Sequence, residues 1–270
     1  MTAAQPAVLR EDRGPVTWLT LNRPDAMNAL DPQLLDEFDS YVRAVGDDPS
    51  VRVVVITATG RAFCAGADLK AVLGTRGDLD PARLLDFEQR AQATFARLAD
   101  LPKPTIAALN GVTMAGGLEL ALHCDLVVAS SRARIGDGHT NYGLLPGAGG
   151  AARLPRVIGP TRAKYLAFTG ELISAEQALT MGLVVEVLPP EDFRSRIESL
   201  SSAIAVRSPS ALRLFKQTID DGLNQPLQSA LRLELLATAA HLHTGDVEEG
   251  LRAFTEKRAP RFTTSEENHD

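Results

Sequence analysis

Residues 51–57 read Val-Arg-Val-Val-Val-Ile-Thr, a β-branched run with no polar face. A strand of this kind carries apolar side chains on both sides and must be covered on both. That requirement selects an α/β architecture, and the neighbouring segments supply the cover. Val16–Leu21 is β-prone and is broken by Asn22-Arg23-Pro24-Asp25. Asp31-Pro32 opens a helix expected over residues 32–45 and ended by Gly46, with the Asp side chain accepting an orphan N–H and proline suiting the first turn. A second helix is expected over 82–98, where Leu84, Leu85, Phe87, Ala91 and Phe95 recur at helical spacing. Strands at Thr105–Leu109, 126–129 and 184–188, with a short helix over 116–123, continue the alternation. Residues 58–80 and 136–150 read as glycine-containing loops. After Gly150 the pattern is largely helical, over 151–158, 161–168, 174–181, 192–206, 209–221, 226–243 and 246–256. Residues 259–270 read as a frayed polar tail.

Composition removes several classes of protein. With 44% hydrophobic and 23% charged residues in 270, the body is expected to fold without disulfide or metal staples. Two cysteines, Cys64 and Cys124, cannot form a disulfide framework or a four-cysteine zinc site, and read as small buried hydrophobes. A net charge of −6 argues against a nucleic-acid binder, which needs a concentrated basic face. Residues 1–10 lack the basic and apolar regions of a secretory signal, and no run approaches the roughly 20 apolar residues of a membrane span. A cytoplasmic location without a membrane span is the expectation.

Two glycine-containing segments each leave an expected strand. One is Phe63-Cys64-Ala65-Gly66-Ala67-Asp68-Leu69-Lys70; the other runs from Asn110-Gly111 to Gly116-Gly117-Leu118-Glu119-Leu120. Small residues let a ligand carbonyl approach the backbone, and glycines opening a helix leave N–H groups free. One N–H from each loop would make an oxyanion hole. Spacing alone is equally served by tight strand exits.

Taken together, the motifs resemble the crotonase superfamily, the enoyl-CoA hydratase/isomerase fold, from about residue 8 to 262. The matching strings are Asn22-Arg23-Pro24 with Met27-Asn28-Ala29-Leu30, Ala65-Gly66-Ala67-Asp68, and Ala108-Leu109-Asn110-Gly111 through Gly116-Gly117-Leu118-Glu119. Cys124-Asp125, Gly143-Leu144-Leu145-Pro146-Gly147-Ala148-Gly149-Gly150 and Ala253-Phe254-Thr255-Glu256-Lys257-Arg258 complete the order. The resemblance implies an α/β spiral of ββα turns over residues 1–190, a helical trimerisation region over 191–262 and a polar tail over 263–270. It also implies a homotrimer or dimer of trimers. No permanently bound cofactor is implied, because the acyl-CoA substrate carries its own coenzyme A. Oxyanion-hole amides fall on Ala67 and Gly116, and the first acid/base carboxylate falls on Glu119. The coenzyme A moiety falls near Asn28, Ala29, Ala65, Asp68 and Leu69, with Phe254 and Lys257 contributed by a neighbouring subunit.

One position departs from the family pattern. Gapless counting from Glu119 and from Gly143 puts His139 where a hydratase carries its second glutamate, within Gly136-Asp137-Gly138-His139. Imidazole can also give or take a proton near neutrality, and Asp137 could orient the ring or act itself. The implied activity is nominally enoyl-CoA hydration through an enolate. The alternatives are isomerisation, decarboxylation or C–C hydrolysis using His139, or acyl-CoA binding without catalysis. Other motifs carry less. Gly147-Ala148-Gly149-Gly150-Ala151-Ala152 fits a dinucleotide pattern but follows no good strand, and His241-Leu242-His243 cannot put both rings on one helix face. There is no Gly-x-Ser-x-Gly elbow.

Overall fold

A computed structural model describes residues 5–73 and 80–262. Residues 74–79 of the 58–80 loop and the tail 263–270 lie outside the described residues. Strands β1 (Val8–Arg13) and β2 (Val16–Leu21) form an antiparallel hairpin, followed by helix α1 (Pro32–Asp47). Asp31 caps α1 as its sequence suggests, accepting from Leu34 N at 2.8 Å. Three turns of strand, strand and helix follow. The first comprises β3 (Val53–Ala58), β4 (Ala62–Cys64), α2 (Leu69–Leu73) and α3 (Pro81–Ala99). The second comprises β5 (Thr105–Leu109), β6 (Val112–Met114) and α4 (Gly116–Ala121). The third comprises β7 (Leu126–Ser130), β8 (Arg134–Gly136), a 3-10 turn at His139–Tyr142, and the helices α5 (Gly150–Ile158) and α6 (Pro160–Thr169). After them come β9 (Ile173–Ser174), α7 (Ala175–Met181), β10 (Glu186–Leu188) and α8 (Pro190–Ala205). Helices α9 (Pro209–Gly222), α10 (Leu227–His241) and α11 (Gly245–Glu256) end the chain.

The first strand of each turn enters a six-stranded sheet of order β1-β2-β3-β5-β7-β10, parallel apart from the hairpin. The second enters a four-stranded sheet of order β4-β6-β8-β9, in which only β8 and β9 are antiparallel. This is the ββα spiral. β3 occupies the position its composition demands. Val54 and Ile56 face a core shared with Leu34, Phe38 and Phe95, while Val53 and Val55 face a second core shared with Trp18, Phe193 and Ile197. Each fully buried side chain of this size contributes about 1.5–3 kcal/mol. Successive turns press backbone on backbone. A Cβ at Gly117 would collide with the Cys64 carbonyl, and one at Gly111 with the Arg61 carbonyl, so both positions require glycine.

The small sheet is absent from the sequence reading, as is β1. Strands β4, β6, β8 and β9 are two or three residues long, too short for a period-two pattern to register. They form because the preceding strand of each turn fixes where they lie. Helix α8, beyond residue 190, packs Phe193 and Ile197 onto the large sheet. In contrast, α9 and α10 pack on each other and have no fully buried residue. Phe215 and Ile219 on α9 and its cap residue Leu223, with Leu227, Leu231 and Leu235 on α10, recur every four residues and are exposed. Among the described residues no helix is long and apolar enough to cross a membrane.

Candidate active site

The two strand exits meet. Leu30 forms a parallel bridge with Ala67, in which Leu30 N donates to the Gly66 carbonyl and Asp68 N donates to the Leu30 carbonyl, each at 2.8 Å. That register turns the Ala67 N–H away from Leu30 and toward the cavity. Gly66 has φ +97°, and a Cβ there would meet the Cβ of Ala115 at 2.9 Å, so the exit needs glycine twice over. Across from it, Gly116 is the first residue of α4 and its N–H has no carbonyl one turn earlier. Ala115 takes φ 50° and ψ −119°, an uncommon conformation for a residue with a side chain, and its N–H is anchored on the Gly136 carbonyl at 3.2 Å. Among the described residues no protein acceptor takes the Ala67 or Gly116 N–H. Two unsatisfied amides at one cavity wall are free to donate to a ligand oxygen.

The cavity has a volume of about 350 Å³ and is lined by both exits, by α3 and by the 3-10 turn. Glu119, one turn into α4, is buried with its carboxylate pointing into it. Its Oε1 accepts from Ala148 N at 2.9 Å and Gly150 N at 2.8 Å. Its Oε2 lies 3.7 Å from His139 Nε2, an ion-pair distance too long for a direct hydrogen bond. The other imidazole nitrogen, Nδ1, lies 3.0 Å from Asp137 Oδ1, which also accepts from His139 N at 3.1 Å. Asp137, His139 and Glu119 are therefore a continuous chain. His123 supports it from behind, with Nδ1 2.7 Å from the Glu119 carbonyl, and burial pushes that imidazole down to about 4, so it is neutral and donates.

Burial opposes the charged form of every member of this chain, and the neighbours decide the outcome. For His139, burial is outweighed by the Asp137 hydrogen bond and charge together with Glu119 and Glu88, and its pKa is raised. Burial is the largest single influence on Asp137 and would raise it, but the imidazole bond, the imidazolium charge and the His139 N–H together outweigh it and hold the carboxyl below the usual range. For Glu119 burial wins over the Gly150 and Ala148 amides and His139, and its pKa is raised. Glu88, on α3, also faces the cavity. Burial, aided by the Glu119 charge, pushes it up to about 7.

Of the residues singled out from sequence, Ala65, Ala67, Leu69, Gly116, Glu119 and His139 line the cavity. Asn28, Ala29 and Asp68 do not. Asn28 is fully buried in a left-handed conformation, its amide donating to the Thr59 and Ala62 carbonyls at 2.8 Å and its oxygen accepting from Arg23 N at 2.7 Å. Asp68 pairs at 3.0 Å with Arg23, which also pairs with Asp31 and donates to the Ala29 carbonyl. These side chains hold the first exit in shape. Arg23 is the centre of that arrangement, and the sequence reading quoted it only inside a motif. Phe254, 84% exposed, and Lys257, in a left-handed cap of α11, line no part of this cavity within the chain. Glu88 was missed altogether. Its signal is a carboxylate lodged in an apolar stripe, between Leu84 and Ala91 with Phe87 beside it.

Comparison with known proteins identifies the family. Residues 11–265 match the enoyl-CoA hydratase/isomerase family. The chain belongs to that family. The crotonyl-CoA hydratase of Syntrophomonas wolfei is 36% identical, over 94% of this chain and 97% of its own. The short-chain-enoyl-CoA hydratase of Clostridium acetobutylicum is also 36% identical, over 93% and 95%. A crystal structure of an enoyl-CoA hydratase from Bacillus anthracis superposes with a TM-score of 0.92 at 36% identity, covering 96% of this chain and all of that one. Within the enoyl-CoA hydratase/isomerase family, the spiral and helical C-terminus described above are the shared fold.

Proposed function

We propose that this protein is an acyl-CoA thioester enzyme that adds water to a 2-enoyl-CoA through an oxyanion-hole-stabilised enolate. The observation that carries the reading is the pair of free amides at Ala67 and Gly116 beside the Glu119–His139 pair. Glu119 takes a proton from water as its oxygen bonds to C3 of the substrate. The C2–C3 π electrons move to the thioester oxygen, where the two amides hold the negative charge. The His139 imidazolium then protonates C2 as the enolate collapses. A proton passing from Glu119 to His139 across the 3.7 Å gap restores the starting state. Water has become a C3 hydroxyl and a C2 hydrogen.

The fused Asp137–His139–Glu119 chain also favours a second reading, in which the same groups carry a proton between C2 and C4 and isomerise a 3-enoyl thioester. Crotonyl-CoA and 3-butenoyl-CoA separate the two. Hydration of crotonyl-CoA that is lost in Glu119→Gln supports the first reading, isomerisation without hydration supports the second, and binding without turnover removes both. The exposed apolar rows of α9 and α10 support assembly as a trimer or a dimer of trimers. In such an assembly Phe254 and Lys257 of a neighbour reach the coenzyme A moiety.

A further inference from the structure

We propose that Glu88 makes this cavity select acyl-CoA thioesters whose acyl chain carries an uncharged hydroxyl group beyond the reacting carbons. The inference rests on the reading of the cavity as an acyl-CoA site. Helix α3 presents Leu84, Phe87, Ala91 and Phe95 to the cavity, the wall expected of a pocket for a plain alkyl chain. Glu88 stands in the middle of that wall. It is half-buried, and among the described residues its carboxyl makes no hydrogen bond to protein. The other acidic groups nearby are spoken for: Glu119 by two amides and His139, Asp137 by His139.

The fold makes room for this carboxyl. Gly147 packs directly on it, and a Cβ there would lie 2.8 Å from Glu88 Cβ and Cδ. Three residues later Gly150 does the same for Glu119, where a Cβ would lie 3.2 Å from Oε1. One turn thus accommodates two carboxyls, one at the reacting centre and one on the acyl wall. A half-buried carboxyl on an apolar wall loses its remaining water when an acyl chain covers it, and a ligand that supplies a hydrogen-bond partner offsets that cost. A hydroxyl serves in either protonation state, since it can donate to a carboxylate or accept from a carboxylic acid. Burial keeps Glu88 partly protonated near neutrality, which suits this exchange. A negatively charged acyl terminus is disfavoured. Among the described residues no Lys or Arg lines the cavity, and Glu119 and Asp137 add negative charge.

The test is calorimetric binding of saturated thioesters, which cannot react: hexanoyl-CoA, 5-hydroxyhexanoyl-CoA, 6-hydroxyhexanoyl-CoA and adipoyl-CoA. At least one hydroxylated thioester is expected to bind about ten- to hundredfold more tightly than hexanoyl-CoA, with adipoyl-CoA weakest. Glu88→Leu should erase that preference by losing affinity for the hydroxylated chain and gaining it for hexanoyl-CoA. Glu88→Gln, which keeps a hydrogen-bonding group, should retain it. A preference that survives Glu88→Leu, or a native protein that binds hexanoyl-CoA most tightly, overturns the proposal. Because these ligands report binding alone, failure to hydrate crotonyl-CoA counts against the proposed reaction and not against this selectivity.

Discussion

Glu119 and His139 face each other with Oε2 and Nε2 3.7 Å apart, and each is fixed from behind by a partner that favours its charged form. The amides of Ala148 and Gly150 hold Glu119, and Asp137 holds His139. Each side chain therefore keeps one functional atom free toward the cavity. A pair this close titrates as a unit, so its ionisations belong to both residues.

The role of His139 is read from turnover against pH. His139→Ala should lower kcat by about 10²–10⁴-fold with little change in binding. Asp137→Asn removes the largest influence that raises the imidazole pKa, so the ionisation assigned to the pair should move to lower pH. Full turnover by His139→Ala would reduce the histidine to a loop residue.

The hole is tested by deleting a donor. Ala67→Pro removes the N–H and should cost roughly 10²–10³-fold in kcat, whereas Ala67→Ser keeps it and should be mild. A folded proline variant at full rate would take Ala67 out of the hole.

Glu88 ties stability to pH. Its pKa is near 7 when folded against an ordinary 4.5, so between these values the native state binds more protons than the unfolded chain. This contribution to stability is full below the unfolded value, declines as pH rises and is lost above about 7. Glu88→Gln should therefore raise Tm at pH 8 and change it little at pH 4. Thermal melts of both proteins at the two pH values decide it; equal shifts at both count against the assignment.

Gly117→Ala places a methyl group against the Cys64 carbonyl, where neither backbone can yield. Overpacking of this kind costs about 1–3 kcal/mol or more. Denaturant unfolding should show the loss in midpoint, and a variant of native stability would mean that the turns of the spiral are not in contact there.

Lys257→Glu should weaken coenzyme A thioester binding in low salt while leaving assembly unchanged, because it reverses a point charge suited to phosphate. Leu235→Glu on the exposed row of α10 should instead lower the assembly state. Sedimentation velocity and thioester titration on the two variants separate these effects.

The amino-acid sequence by itself determined the long elements, because burial imposes a period on them. Residues 51–57 could only be a strand covered on both faces, and Asp31-Pro32 could only open a helix. The pairing of His139 with Glu119 was legible only through the family resemblance, whose motif spacing marks where the second glutamate of a hydratase stands. Tertiary structure decided what depends on contacts distant in the chain. The small sheet exists only where earlier turns of the spiral template two or three residues at a time. Asn28 and Asp68 became braces rather than wall because Arg23 and the Thr59 and Ala62 carbonyls converge on them from elsewhere. Glu88 reached the cavity because α3 packs across the strand exits; its place in the apolar stripe marks a carboxylate on the packed face of α3, but only the tertiary structure decides that this face meets a cavity.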